Sequence, residues 1–465
     1  MQELKIQSPV MAFEADPVSE VASLISTWFV RKDQKYFDAA NPEQAFSKTD
    51  IERVSLFRLS RRFDREQLTE NVLREAFRRA IEQRHSDPRQ SIPVWSGELV
   101  CRPGDVSRMI WRDGFVDLNT WHCPSYRSLV PEVEPSFGVA AEFLSWMIPN
   151  DKERTVFVDW LSWCLQNEAD KPTWAPFLYS KTKGSGKSTL CELVSALFGP
   201  KNTVVQNNVD KLVARFNMPI LLSKLVISEE LKLRPDSSQG NTLKTFITEN
   251  VTVAERKGRD AVRVEQSCCF LFTTNHLPLW IEPDDRRYYV IEVDHQGHAS
   301  GPMSKDFGAV VVRLKEFLKD EYAVAALYRA LMERQQTPGF NAKSLNVETC
   351  STEIMRRIHS ASRQTTIDQM EELLNELGKN AVPEADVAGL VRERLKSNVN
   401  STKHLMSELG WRKVTVKWGG VDYKRALWVR PGYSVEGGRV HGEDGSNVKL
   451  SDHVVDAATQ IIGAE

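Results

Sequence analysis

The chain has 465 residues, 41% of them hydrophobic, and a formal net charge of −2, the make-up of an ordinary globular protein with room for about three domains. That charge excludes a global basic field, so any contact with nucleic acid must come from local patches. The 7 cysteines form no C-x-x-C pair, which argues against a disulfide framework and a thiolate zinc site and for reduced buried thiols. Met1–Lys5 lacks the charged-then-apolar pattern of a signal peptide. No stretch approaches the roughly 18 apolar residues of a membrane span, so a cytoplasmic protein without a membrane partner is expected.

Residues 1–135 read as an α+β region of unassigned role. Val18 to Phe29 has amphipathic helical spacing, and Arg31 to Asp38 reads as a charged hairpin or strand pair. Glu66 to His85 predicts a strong helix, with Leu68, Val72, Leu73, Ala76, Phe77, Ala80 and Ile81 on one side. Its Arg74, Arg78, Arg79 and Arg84 read as a solvated face paired with Glu70, Glu75 and Glu82 rather than a DNA-binding one. Short strands punctuated by Pro and Gly follow, ending at Leu118-Asn119-Thr120-Trp121, and no paired carboxylates mark a primase or nuclease centre. Pro131-Glu132-Val133-Glu134-Pro135 reads as a linker. A helical unit, 136–175, comes next, with Val139 to Ile148 and Thr155 to Gln166 at helical spacing and Trp146, Trp160 and Trp163 as core.

From 176 to 300 the chain is organised around one stretch, an apolar run Phe177-Leu178-Tyr179 followed by Lys181-Thr182-Lys183-Gly184-Ser185-Gly186-Lys187-Ser188-Thr189 and a helical pattern. It reads as a P-loop. Gly184, Ser185 and Gly186 let backbone N–H groups face phosphate oxygens, Lys187 reaches the β/γ-phosphates, Ser188 holds Mg²⁺, and the helix opening at Thr189 presents its positive end. ATP and Mg²⁺ are the expected ligands. The pattern places a glycine five residues before Gly186, where this chain has Lys181.

Four features follow. The apolar run Leu221 to Ser228 ends in Glu229-Glu230, acids placed to orient a metal shell and polarise a water, with their division of labour open. Lys244 to Glu265 reads as a helix and then a hairpin, with Arg256, Lys257 and Arg259 at a tip suited to DNA phosphates. Ser267 to Thr274 is a buried strand ending at Asn275, whose amide suits a water-holding role beside the γ-phosphate. Asp284-Asp285-Arg286-Arg287 precedes a strand from Tyr288 to Val293; Arg286 or Arg287 is either an arginine finger or the partner of the aspartates. His295 and His298 have H-x-x-H spacing but no further ligands and read as loop residues.

In that order these motifs resemble a superfamily 3 helicase, and are similar to the helicase part of phage and plasmid primase-helicases and primase-polymerases, a class that includes the poxvirus replicative ATPase. The resemblance covers about 176–295 and is looser outside it. It implies an AAA+-like core in a hexameric ring with ATP between subunits. Lys187 and Ser188 would bind nucleotide and Mg²⁺, with Glu229 shared by the metal site; Glu229 and Glu230 would be the acidic pair and Asn275 the sensor. Lys257 would grip one DNA strand in the channel, and Arg286 or Arg287 would act in trans. Glu-Glu departs from the usual Asp-Glu.

Residues 301–380 read as helices, from Phe307 to Leu377, stopped by Gly378. Residues 381–432 give helix, helix, strand, Gly419-Gly420 turn and strand, the order of a winged helix, and 381–430 hold ten basic residues against five acidic, a net +5 suited to duplex DNA. Residues 433–465 read as a tail with a short final helix. The expected protein is therefore α/β, with a P-loop AAA+-like ATPase core, an α+β N-terminal region and a C-terminal helical plus winged-helix region. Its expected activity is ATP-dependent DNA unwinding in the replication of a phage, prophage or plasmid, with a separate primase as a possible partner. The alternatives are an ATP-switched origin-binding initiator and a P-loop kinase.

Overall fold

Five apolar runs between 175 and 292 line up as one sheet: β1 (Ala175–Tyr179), β2 (Thr203–Val205), β3 (Leu225–Ser228), β4 (Cys269–Thr274) and β5 (Tyr288–Glu292). The computed structural model describes residues 16–64, 66–82, 88–214, 218–234, 237–254, 262–282, 285–293, 297–395, 401–418 and 423–454. The strand order is β5-β1-β4-β3-β2, and every neighbouring pair is parallel. Parallel sheets are covered on both faces. That is why β1 and β4 are buried at every position and read as continuous rather than alternating apolar runs. The Phe177 ring on β1 lies 5.8 Å from Phe272, 5.9 Å from Trp280 and 6.1 Å from Tyr288.

The helices Gly138–Met147, Asp151–Gln166, Lys187–Phe198, Ser304–Phe317 and Glu321–Glu333 all contribute to the same buried core as the sheet. Residues 136–175, 176–300 and much of 301–380 thus share one core. Trp160 is fully buried in it, with Trp146 and Trp163 packed at its edge. The expected linker at Pro131–Pro135 is corrected. Ser125–Glu132 is a 3-10 helix, Arg329 donates to the Val133 carbonyl, and the Ser136 N–H donates to Ala326 O at 3.1 Å. The prolines do forbid a continuous α-helix, but the backbone finds its partners on a neighbouring helix.

The N-terminal region has its own core of Val21, Ile25, Phe29, Ile51, Leu59 and Ala76. Its helix Pro17–Trp28 leads into the hairpin Phe29–Lys32 and Lys35–Asp38, much as the sequence predicts. On the helix Glu70–Glu82, Arg78 bonds Glu75 at 2.6 Å and 2.8 Å, the solvated pairing expected. A second small sheet joins Trp95–Val100, Met109–Arg112 and Phe115–Asn119. Buried Asn119 staples the loop between the first two of these strands, donating to Arg102 O at 3.1 Å and Asp105 O at 3.0 Å, and accepts from the Trp121 N–H at 3.1 Å.

The helix Glu353–Leu377 runs 25 residues. Ile354, Met355 and Ile358 belong to the main core, whereas Met370 and Leu374 belong to a second one with Val387, Trp411 and Trp428. The boundary expected after 380 therefore does not separate the two cores. Gly378, at φ 61°, ends the helix as predicted. Strand Ala381–Pro383, helices Glu384–Glu393 and Thr402–Glu408, and strands Arg412–Val416 and Arg425–Val429 follow, with Arg425–Val429 central in a three-stranded sheet. The Gly419-Gly420 turn lies outside the described residues.

The expected tail is also corrected. Tyr433–Glu436, Arg439–Gly442 and Asn447–Lys449 form an antiparallel sheet followed by helix Leu450–Val454, and Val440 and Leu450 pack with Ala381, Leu427 and Val429. Gly437-Gly438, both at positive φ, makes the two-residue turn that a hairpin of right-handed twist requires. No helix among the described residues is long and apolar enough to cross a membrane.

Candidate active site

Because β4 is inserted between β1 and β3, the carboxyl ends of three neighbouring strands meet at one edge, where ligands bind in open parallel sheets. Thr274 is in register with Tyr179, and Phe272 with Ser228. The chain therefore leaves the sheet side by side at Ser180, Asn275 and Glu229. After β1 it turns through Gly184 and Gly186, at φ 76° and 89°, and enters the helix Lys187–Phe198.

The side chains converge there. Buried Lys187 donates from Nζ to Ser185 Oγ at 3.0 Å and to Asn275 Oδ1 at 2.9 Å. Ser188 Oγ donates to Glu229 Oε2 at 2.5 Å. A hydroxyl and a carboxylate so placed offer two hard oxygen atoms of the kind Mg²⁺ takes while keeping most of its waters. An ammonium beside a helix N-terminus suits phosphate oxygens. Thr189 is buried on the first turn. Lys181, the departure from the loop pattern, is exposed and is not among the residues at positive φ, so its Cβ carries no left-handed strain and glycine is not required there.

Gly186 is required. A Cβ on it would meet Met147 Sδ at 2.6 Å and Phe307 Cζ at 2.7 Å, in addition to the left-handed backbone. Gly186→Ala is expected to cost about 2–4 kcal/mol, read as a lower denaturant midpoint; an unchanged midpoint would contradict this packing.

The two acids differ. Glu229 faces Ser188, and its N–H donates to Asn207 Oδ1 at 2.9 Å. Glu230 is exposed and left-handed, at φ 59°, turning the chain so that the Leu231 N–H reaches Thr273 O at 2.9 Å. Such strain is of the order of 1–2 kcal/mol for a residue other than glycine. Glu230→Gly and Glu230→Ala separate turn from carboxylate: hydrolysis lost equally in both assigns the acid a chemical role, and hydrolysis kept in both leaves it only the turn.

Arg286 and Arg287 stand at the other end of the sheet, since the Ala175 N–H at the start of β1 donates to Arg287 O at 2.9 Å. A strand of this length puts them about 17 Å from the loop. Arg287 is held by Asp285, with N and Nη1 at 3.0 and 3.3 Å from Oδ1. Arg286 is exposed. Arg256, Lys257 and Arg259, together with Asp284 and His295, lie outside the described residues.

Some residues beside the site, and others at the opposite end of its strands, have structural roles that the sequence reading did not assign. Buried His298, read as a loop residue, donates from Nε2 to the Ser185 carbonyl at 3.3 Å, and its ring lies 4.4 Å from Phe307. Two fully buried lysines hold the base of the hairpin formed by Val251–Ala254 and Val262–Glu265. Lys171 Nζ donates to the carbonyls of Phe246 and Glu249. Lys224 Nζ donates to Ser267 O and Asp170 O, each at 2.8 Å. Lys224 directly precedes β3 and Ser267 nearly precedes β4, so both strands run from the hairpin base to the converged side chains. Burial works to raise the Cys269 thiol on β4, but its contact with the Cys164 thiol and the Lys224 ammonium lowers it below the ordinary thiol value. Among the described residues no group of three His, Cys, Asp or Glu side chains forms a metal cluster.

The fold and site thus define a mixed α/β protein with a glycine loop at the carboxyl edge of a parallel sheet. A family model described as a family of unknown function, DUF5906, matches residues 178–287, which span the loop, both acids, Asn275 and both arginines. The chain is similar to a DNA primase-polymerase of Nitratiruptor phage NrS-1, at 22% identity over 271 residues, 57% of this chain and 33% of that protein. It spans about a third of the length of that curated relative. A solved apo structure of the NrS-1 C-terminal region superposes with a TM-score of 0.52 at 15% identity, covering 90% of this chain and 100% of that one. An A-form apo structure of the same region gives 0.51 at 15% identity over 89% and 100%. At these identities the superpositions speak for the fold.

Proposed function

We propose that the chain is an ATP-dependent DNA helicase of the superfamily 3 kind, acting in the replication of a phage, prophage or plasmid, with a P-loop AAA+-like core working as a homo-hexameric ring. The observation that carries this reading is the convergence of Lys187, Ser188, Glu229 and Asn275 at one sheet edge, the parts that phosphoryl transfer from ATP to water needs. The similarity to a phage primase-polymerase supports a role in replication.

The loop N–H groups and Lys187 would bind the phosphates of ATP. Ser188 and Glu229 would hold Mg²⁺, which when bound neutralises charge on the phosphate oxygens. Glu229 or Glu230 would polarise the attacking water, and Asn275 would hold it in line. An arginine about 17 Å from its own loop serves only a neighbour's site, and Arg286, exposed at that end, fits an arginine finger better than Arg287. The hairpin would grip one strand through Lys257, helped by Arg256 and Arg259. The two short helices and three strands after 380 would bind duplex as a winged helix, and a separate primase would supply primers.

Unwinding of a forked duplex tests this. The wild type is expected to separate strands with ATP, and Lys257→Ala to keep hydrolysis and lose unwinding. ATP hydrolysis and DNA binding without unwinding would favour the ATP-switched initiator, a reading to which the +5 charge of 381–430 also lends weight. Hydrolysis without DNA binding would favour a kinase.

A further inference from the structure

The helix Lys48–Leu59 packs on the N-terminal core through one narrow edge, Ile51, Ser55 and Leu59. Its outer side leaves two adjacent apolar residues in water, Phe57 at 59% and Leu56 at 41% exposure. Single exposed apolar residues are common and mean little; these two are set in a basic surround. Residues 48–62 hold five basic side chains (Lys48, Arg53, Arg58, Arg61 and Arg62) against two acidic ones (Asp50 and Glu52), a net +3 in a chain whose total is −2.

The arginines lie on the rings. The Arg61 guanidinium is 4.4 Å from the centre of the Phe57 ring. Its neighbour Arg62 is 5.5 Å from the half-buried Trp28 ring, which Arg58 approaches at 5.6 Å. Two of the five cations are already answered, Arg58 by Asp38 and Lys48 by Glu82 at 3.6 Å. Arg61 and Arg62 are exposed, and among the described residues neither has a carboxylate in ion-pair contact. Arg53, one turn before Phe57 on the helix, is exposed as well. Exposed rings and guanidinium planes stack unpaired bases, and unanswered positive charge beside them meets the phosphates between those bases. A duplex keeps its base faces in its own stack and would gain from the charge alone.

We propose that this face of the N-terminal region, formed by Trp28, Arg53, Phe57, Arg61 and Arg62, binds single-stranded nucleic acid without regard to sequence. Bases stack on the rings and guanidinium planes, and the arginine charges meet the phosphates. The surface is separate from the glycine loop, the hairpin and the region after 380, and it does not depend on the helicase reading.

The probe is a fluorescent oligothymidylate, titrated without ATP into the full chain carrying Lys257→Ala, so that the hairpin's contact is not what is read. Adding Phe57→Ser should weaken binding by about tenfold, the loss of one base stack. Adding Arg61→Gln with Arg62→Gln should make the slope of log affinity on log salt shallower by about 1.4, two phosphates at about 0.7 each on a single strand. These side chains are exposed, so the melt of each variant should match its parent. On the unaltered chain, an oligothymidylate bearing 5-iododeoxyuridine should photocrosslink to Phe57 or Trp28, which decides the matter should a variant not fold. Crosslinks found only elsewhere, or an unaltered affinity and salt slope in the folded variants, would overturn the proposal. So would polyglutamate displacing the oligothymidylate from this face at equal concentration, which would give the surface to an acidic protein partner.

Discussion

Alanine at Lys187 is expected to lower ATP hydrolysis by about 10³-fold without unfolding the chain. The Lys187 ammonium lies between Ser185 Oγ and Asn275 Oδ1, where it is fixed before any phosphate arrives, so its charge requires no reorganisation in the transition state. Alanine is the best helix former, and at the first helical position its N–H and carbonyl remain as they were. Phosphate release and the circular-dichroism melt, measured together, check the claim: hydrolysis falls and the melt stays. Hydrolysis at the wild-type rate would remove the loop from the active site and with it the helicase reading. Lys187→Arg should recover little, because a planar fork does not replace a compact ammonium in so close a gap.

The second large effect concerns stability. Asp159 is fully buried on the helix Asp151–Gln166, where its Oδ1 accepts from Arg334 Nε at 2.7 Å and its Oδ2 from the Thr337 N–H at 3.0 Å and hydroxyl. Asp159→Ala leaves a guanidinium, an amide and a hydroxyl without their acceptor. Removing one partner of such a buried pair costs about 3–5 kcal/mol, and urea unfolding followed by tryptophan emission should show it. Adding Arg334→Met to Asp159→Ala should recover part of the loss, since the stranded charge goes with it. A loss below about 1 kcal/mol in the single variant would mean that water reaches the site and that the pair only decorates the surface.

Much of this was readable in the sequence because parallel strands buried on both faces announce themselves as unbroken apolar runs. β1, β3, β4 and β5 each do, and each of the first three ends on a polar residue that the structure brings to one edge. What escaped has physical reasons. The helix Lys48–Leu59 buries only Ile51, Ser55 and Leu59, too few for an apolar stripe, and its one signal is the capping box of Ser47 and Asp50. The sheet after Gly432 is built from strands of 3 or 4 residues, too short for alternation to register. Lys171 and Lys224 look like surface residues because charge normally is; only the carbonyls that surround them in three dimensions show otherwise. The sequence left Arg287 open between finger and salt bridge, and its contact with Asp285 favours the second.

The helix Glu353–Leu377 also constrains how such chains can exchange parts. A recombination joint at Gly378, the obvious seam, would give the incoming C-terminal unit a foreign Met370 and Leu374 against its own counterparts of Val387, Trp411 and Trp428. A workable joint must fall inside the helix, between the turns that serve the two cores. It must also keep the residue count, because each residue inserted or lost there rotates everything beyond it by about 100° and shifts it about 1.5 Å along the axis. Lineages that swap their C-terminal units would therefore be expected to carry the latter half of this helix along with them, at unchanged length.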